Sequence, residues 1–202
     1  MGLPEEKYLT LADYLTIERA GDQRYEYHLG EIFAMAGGTV EHGVICGNVY
    51  AALRSATQQT GACQAFTSEI KVEIKSAKRY VYPDAGLACP KLIKSATLTG
   101  AITNPRLIVE VISASSEGYD RGAKLRYYFS VPSLQEYVLV DQDQPFVTIF
   151  RRRGDLMKMD TYDGIDAAVP LESVVAEIAL KDIYENVEFP EKEVERDEQV
   201  TG

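Results

Sequence analysis

Between residues 40 and 60 the apolar positions Ile45, Val49, Ala52, Leu53 and Ala56 return every three or four residues. That is the repeat of one helical face, and Gly61 closes it. Residues 8–20 read as a shorter helix, with Thr10 as N-cap and Gly21 as stop. Residues 69–75 alternate strictly: Ile70, Val72 and Ile74 point one way, Glu69, Lys71, Glu73 and Lys75 the other. This predicts a half-buried strand. A hairpin over 24–36 turns at Leu29-Gly30. Residues 80–89 read as one strand, with Pro83 at an edge or opening. A polar connection spans 90–104, a strand spans 106–113, and a serine-rich loop reaches Gly118. A helix at 120–130 ends before Pro132. Gln135 to Asp141 contains the unbroken run Tyr137-Val138-Leu139-Val140, suited to a strand covered on both faces. Strands at 146–152 and 156–162 flank Arg153-Gly154-Asp155 as a hairpin, and a short helix is predicted near 171–178. The order predicts an α/β fold: a mixed β-sheet flanked by helices on both faces.

Composition narrows the setting. At 202 residues and 46% hydrophobic content the chain suits one globular domain, assigned to 1–184, and no internal repeat or linker divides it. No stretch approaches the roughly 18 apolar residues of a membrane span, and Met1 to Tyr8 lacks a signal-peptide core. The expected location is cytoplasmic. Cys46, Cys63 and Cys89 are widely spaced without a Cys-x-x-Cys, which argues against a zinc knuckle and for buried reduced thiols.

The net charge of −10 speaks against a general nucleic-acid binder, but its distribution is uneven. Residues 185–198 hold seven acids against Lys192 and Arg196, a balance of −5 that leaves −5 for the rest. The segment 185–202 therefore reads as an acidic, flexible tail. Between 71 and 94, Lys71, Lys75, Lys78, Arg79, Lys91 and Lys94 oppose only Glu73 and Asp84. They form either a basic face near Asp84 or ordinary solvated charges.

Candidate chemistry starts at Glu110, which interrupts the apolar run Leu107-Ile108-Val109-Glu110-Val111-Ile112. A carboxylate in a covered strand needs protonation, a Lys or Arg partner, or a metal ion. Asp84, in Tyr82-Pro83-Asp84, is either a turn residue or a second carboxylate brought beside Glu110 by adjacent strands. Lys124 follows Asp120, read as a cap or first-turn acid, and shares a helical face with Tyr127 and Tyr128. It is a surface lysine unless this helix packs over the Glu110 strand.

Three motifs stand in order: Tyr82-Pro83-Asp84, then Ile108-Val109-Glu110-Val111-Ile112-Ser113, then Tyr119-Asp120-Arg121-Gly122 with Lys124 and Tyr128. Tyr25-Glu26, Gly30-Glu31, His42 and Pro132-Ser133-Leu134-Gln135-Glu136-Tyr137 add to them. Together, over about residues 8–184, they resemble a large bacterial family of uncharacterised restriction endonuclease-like proteins within the PD-(D/E)-x-K nuclease superfamily. The resemblance implies a restriction-endonuclease-like core and a Mg²⁺- or Mn²⁺-dependent endonuclease acting on DNA. It makes Asp84 and Glu110 metal-binding carboxylates, with the Val111 carbonyl as a third oxygen. The superfamily lysine would stand at Ile112, so Lys124 is its implied replacement from the next helix. Glu26 matches a position near the same pocket, as an outer metal contact. His42 matches another, as a water or phosphate contact, or else serves only the helix end. His28 reads as structural. By analogy a homodimer is expected, since cutting both strands needs two sites. The acidic balance and the displaced lysine keep a second reading open, a catalytically silent binding or assembly module. No Gly-rich phosphate loop, Gly-x-Ser-x-Gly or His-Glu-x-x-His supports other chemistry.

Overall fold

A computed structural model describes residues 8–190, apart from 22, 36, 59–60 and 114–115. Helix α1 (Leu11–Ala20) opens with a capping box. The Thr10 hydroxyl accepts the Asp13 amide at 3.2 Å, and the Asp13 carboxylate accepts the Thr10 amide at 2.9 Å. Strands β1 (Tyr25–His28) and β2 (Glu31–Ala34) turn at Leu29-Gly30, both with positive φ. Helix α2 (Val40–Gln58) leads to β3 (Gln64–Thr67), β4 (Lys71–Ile74), β5 (Arg79–Val81), β6 (Ala85–Ala88), β7 (Ala101–Ile102) and β8 (Pro105–Ile112). Then α3 (Glu117–Tyr119), a π-helical turn (Asp120–Lys124) and α4 (Leu125–Phe129) run as one helix. After β9 (Glu136–Asp141) come the hairpins β10 (Phe146–Arg153) with β11 (Leu156–Asp163) and β12 (Ala168–Leu171) with β13 (Ala176–Ala179), then α5 (Leu180–Ile183).

The strands make a six-stranded sheet in the order β11-β10-β9-β8-β6-β3 and a five-stranded sheet in the order β2-β1-β5-β4-β7. The hairpin β12-β13 stands apart. In the larger sheet β8 and β9 are parallel and the other pairs antiparallel. Parallel neighbours need a crossover, which the helix from α3 to α4 supplies. On one face of β8, Leu107, Val109 and Val111 pack with Ile45, Val49 and Leu53 of α2. On the other, Ile108 and Ile112 pack with Tyr127 and Tyr128 of the crossover helix and with Val72, Ile74 and Val81 of the smaller sheet. Among the described residues no helix is long and apolar enough to cross a membrane.

Several expectations give way to packing. The run 80–89 is two strands in different sheets, β5 and β6, joined by Tyr82-Pro83-Asp84. Pro83 has no amide to continue a ladder, and the Tyr82 amide is donated to the Glu26 carboxylate. The strand at 71–74 is buried on both faces, because Lys71 pairs with Glu18 at 2.9 Å and Glu73 accepts from Ser95, Thr97 and Tyr80. The connection 90–104 carries β7, which pairs in parallel with β4. Residues 171–178 form no helix. The Glu136 carboxylate accepts the amides of Glu172 and Ser173 at 2.9 and 3.1 Å, fixing a turn between β12 and β13. Two of the three cysteines are not thiols: Cys63 and Cys89 form a disulfide. The register Gln64↔Ala88 sets these two directly opposite on β3 and β6, with Cα atoms 4.3 Å apart.

The packed chain continues past residue 184. Val187 and Phe189 lie against the α2-side core, and Asn48 donates to the Ile183 and Glu185 carbonyls. The remainder of the acidic segment, from 191 on, lies outside the described residues.

Candidate functional site

Antiparallel pairing of β6 with β8 sets Ala85 opposite Val109, so the next position outward sets Asp84 opposite Glu110. There β6 has ended, and a side chain takes over the ladder: Asp84 Oδ2 accepts the Val111 amide at 2.7 Å. The carbonyl of Ile112 faces β9, where it accepts the Gln142 amide. Carbonyls alternate along a strand, so that of Val111 points the other way, toward Asp84.

Glu110 is 3% exposed. The Tyr128 hydroxyl donates to its Oε1 at 2.7 Å, and Lys124 Nζ lies 3.1 Å from the same oxygen. Burial pushes the carboxyl pKa up to about 8, with the charges of Asp84, Asp120 and Glu26 adding to the rise and Lys124 opposing it. Lys124 arrives from the π-helical turn, whose other end supplies Asp120. Asp120 Oδ1 is 3.0 Å from the ammonium but off the hydrogen-bond direction, so the contact is one of charge. Burial alone would lower the Lys124 pKa. The carboxylates of Glu110, Glu26 and Asp120 outweigh it and hold the ammonium charged. Asp120 is therefore not the helix cap its position suggested, because the helix begins at Glu117 and carries Asp120 inward.

Glu26 reaches the same pocket from the smaller sheet. Its Oε1 accepts the Tyr82 amide and its Oε2 meets His28 Nε2, each at 3.0 Å. His28 Nδ1 in turn lies 3.0 Å from the Tyr119 hydroxyl. Burial would raise the Glu26 pKa, but the His28 contact, the Lys124 charge and the Tyr82 amide bring it below its ordinary value. His28 is structural in a specific sense: it orients Glu26.

His42 stands in the first turn of α2, its amide donated to the Thr39 hydroxyl at 3.1 Å. Its imidazole faces the pocket, with Nε2 3.5 Å from Asp84 Oδ2. The Asp84 contact raises its pKa despite burial.

Glu26, His42, Asp84, Glu110, Val111 and Lys124 thus line one pocket of about 580 Å³, which Asp120 also lines. None of the six basic residues between 71 and 94 lines this pocket. Lys71 is consumed by Glu18, and the Arg79 guanidinium sits 4.8 Å over the Tyr127 ring. Ile112 is buried in the core on the crossover-helix side. Sequence reasoning missed the role of Asp120, the hydroxyl of Tyr128 on Glu110, and Cys46, which stands one turn after His42 with its sulfur 3.5 Å from Nδ1. The one-turn spacings 120/124 and 42/46 carried that signal.

The donor set around Asp84 and Glu110 is chemically suited to a hard divalent cation: two carboxylates and an inward carbonyl. Four carboxylates face one ammonium and one imidazole there, a balance that favours a further cation.

The sequence matches the family described as "putative restriction endonuclease" (Uma2) over residues 11–181. An uncharacterised protein of Synechocystis sp., slr1290, is 34% identical over 184 residues, covering 90% of this chain and 94% of that protein. A second from the same organism, sll1609, is 34% identical over 153 residues, covering 74% and 84%. A crystal structure described as a putative nuclease belonging to DUF820, from Anabaena variabilis ATCC 29413, shares the fold. Its TM-score is 0.69 at 18% identity, and the match covers 87% of this chain and 97% of that one.

Proposed function

The chain belongs to the Uma2 family of putative restriction endonucleases, and on that premise we propose that it is a divalent-metal-dependent endonuclease hydrolysing phosphodiester bonds in DNA. The observation that carries this reading is the β6–β8 register. It sets Asp84 opposite Glu110 at a strand end, with Lys124 3.1 Å from Glu110. Asp84, Glu110 and the Val111 carbonyl would hold Mg²⁺ or Mn²⁺. When bound, the ion supplies positive charge that polarises the phosphate and acidifies a coordinated water.

The chain's own groups have distinct tasks. Lys124, kept protonated, orients the attacking water and offsets charge gathering on the phosphate oxygens. Glu110 and Asp120 hold the ammonium over the strand end. Glu26, fixed by His28, anchors the Tyr82 amide and so the Asp84 segment. His42 contacts Asp84 and is placed to donate to a phosphate or water.

A silent module remains the second reading, favoured by one observation: Glu110 already has Lys124 and Tyr128 as partners. Incubation with supercoiled plasmid separates the two. Cleavage should require Mg²⁺ or Mn²⁺, disappear in Asp84→Ala and Glu110→Ala, and fall about 10²–10³-fold in Lys124→Ala. The Lys124→Ala protein should still be raised in melting temperature by the ion. Cleavage undiminished in the carboxylate variants would refute the centre. Two-strand cutting calls for paired centres, supplied by a homodimer, so the mass in solution is measured on the same samples.

A further inference from the structure

We infer that His42, Cys46 and Asp84 form a second cation site, suited to a thiophilic divalent ion of the zinc class, on the α2 side of Asp84. Residues 42 and 46 are one turn apart on α2 and present their side chains together. Cys46 Sγ lies 3.9 Å from His42 Nε2, and Nε2 lies 3.5 Å from Asp84 Oδ2. The ligand atoms of the three residues all fall within 4.8 Å of one another. A tetrahedral zinc with bonds of about 2.0–2.3 Å spaces its ligands about 3.3–3.6 Å apart, so the 3.5 Å edge already fits and the wider edges must contract. Gly38 lies close against the imidazole: a Cβ there would come within 2.6 Å of Nδ1, so a larger residue would displace the ring.

The donor atoms separate this site from the centre proposed above. Glu110 and the Val111 carbonyl offer hard oxygens, whereas His42 and Cys46 offer nitrogen and sulfur, which select zinc-class ions over Mg²⁺. Three protein ligands leave a fourth position for water, and the cluster opens to solvent through a pocket that Arg24, Met35 and Ser68 also line. Burial and the Asp84 and Glu110 charges keep the free thiol protonated. Coordination therefore releases the thiol proton to solvent, and the proton that His42 Nε2 holds toward Asp84 leaves with it or moves to Nδ1. Asp84 is common to both sites, so an ion here draws its charge away from the Mg²⁺ ligands and acts as an antagonist. That last step rests on the proposed function; the site itself does not.

Cobalt(II) tests the site directly. With the disulfide intact, Cys46 is the sole free thiol of the chain. Titrating Co²⁺ into the wild-type protein should give thiolate-to-metal charge-transfer absorption that Zn²⁺ abolishes. The band should persist in Glu110→Gln and be missing in Cys46→Ser and Cys46→Ala, whose circular dichroism reports folding. No band in the wild type, or an equal band in either cysteine variant, overturns the site. In Mg²⁺-driven plasmid cleavage, Zn²⁺ should inhibit the wild type at a concentration at least about tenfold lower than Cys46→Ser. Equal inhibition overturns the antagonism. A protein that cleaves nothing in Mg²⁺ refutes the proposed function, while the Co²⁺ band still decides the second site.

Discussion

Burial raises the proton affinity of Glu110 against the opposing charge of Lys124, and this has a pH signature. Its folded pKa, pushed up by burial to about 8, exceeds the ordinary 4.5. A carboxyl shifted upward binds its proton more tightly in the folded state. Its contribution to stability is complete below about pH 4.5 and is lost as pH rises through about 8. The metal-free protein should therefore lose melting temperature across that window, and Glu110→Gln should flatten the loss. Mg²⁺ should restore the wild type most strongly at the alkaline end. Thermal melts at pH 5, 7 and 9 with and without the ion check all three outcomes. An identical profile for wild type and Glu110→Gln would remove Glu110 as the source.

Strand β6 positions Asp84, and its own seat depends on Gly86. A Cβ there would meet the Phe66 ring at 2.4 Å and the Leu107 carbonyl at 2.7 Å. The carbonyl is backbone and cannot rotate aside, so Gly86→Ala should push β6 off β8 and cost about 1–3 kcal/mol. A chemical denaturation curve with an unchanged midpoint would count against this. Elements with local signals were legible from sequence. The Thr10 cap, the Leu29-Gly30 and Gly154 turns, and the 3.6-residue stripe of α2 each report on their own neighbourhood. Elements decided by distant partners were not. The apolar run 80–89 conceals a change of sheet, because Val81 and Ala85 are both fully buried while facing different neighbours. Residues 171–178 turn back because Glu136, 36 residues away, takes the Glu172 amide. At the site the carboxylate pair was legible as acids in apolar strands. Asp120 was not, because the sequence pattern predicts a helix from 120, whereas the helix begins at Glu117 and turns Asp120 inward.

Across the whole molecule the larger sheet is stapled at one edge. The Cys63–Cys89 bridge ties β3 to β6, closing a loop with a sequence separation of 26. Reduction should lower stability by about 3.5 kcal/mol, the chain-entropy value for a loop of this span, read as a lower melting temperature in excess reductant. A melting temperature indifferent to reductant would show that strand pairing alone holds the edge. The residues around the pocket come from both sheets, the crossover helix and the strap between the sheets. Glu26 comes from the smaller sheet, Glu110 from the larger, Lys124 from the crossover helix, and Asp84 from the three-residue strap between the sheets. That strap has a mechanical consequence. With β5 anchored in one sheet and β6 in the other, the Asp84 segment bridges them, and the bond from the Val111 amide ties its carboxylate to the larger sheet. The spacing of the two acids is thereby set within one sheet, by the bond from the Val111 amide next to Glu110, while Glu26 holds the strap from the other.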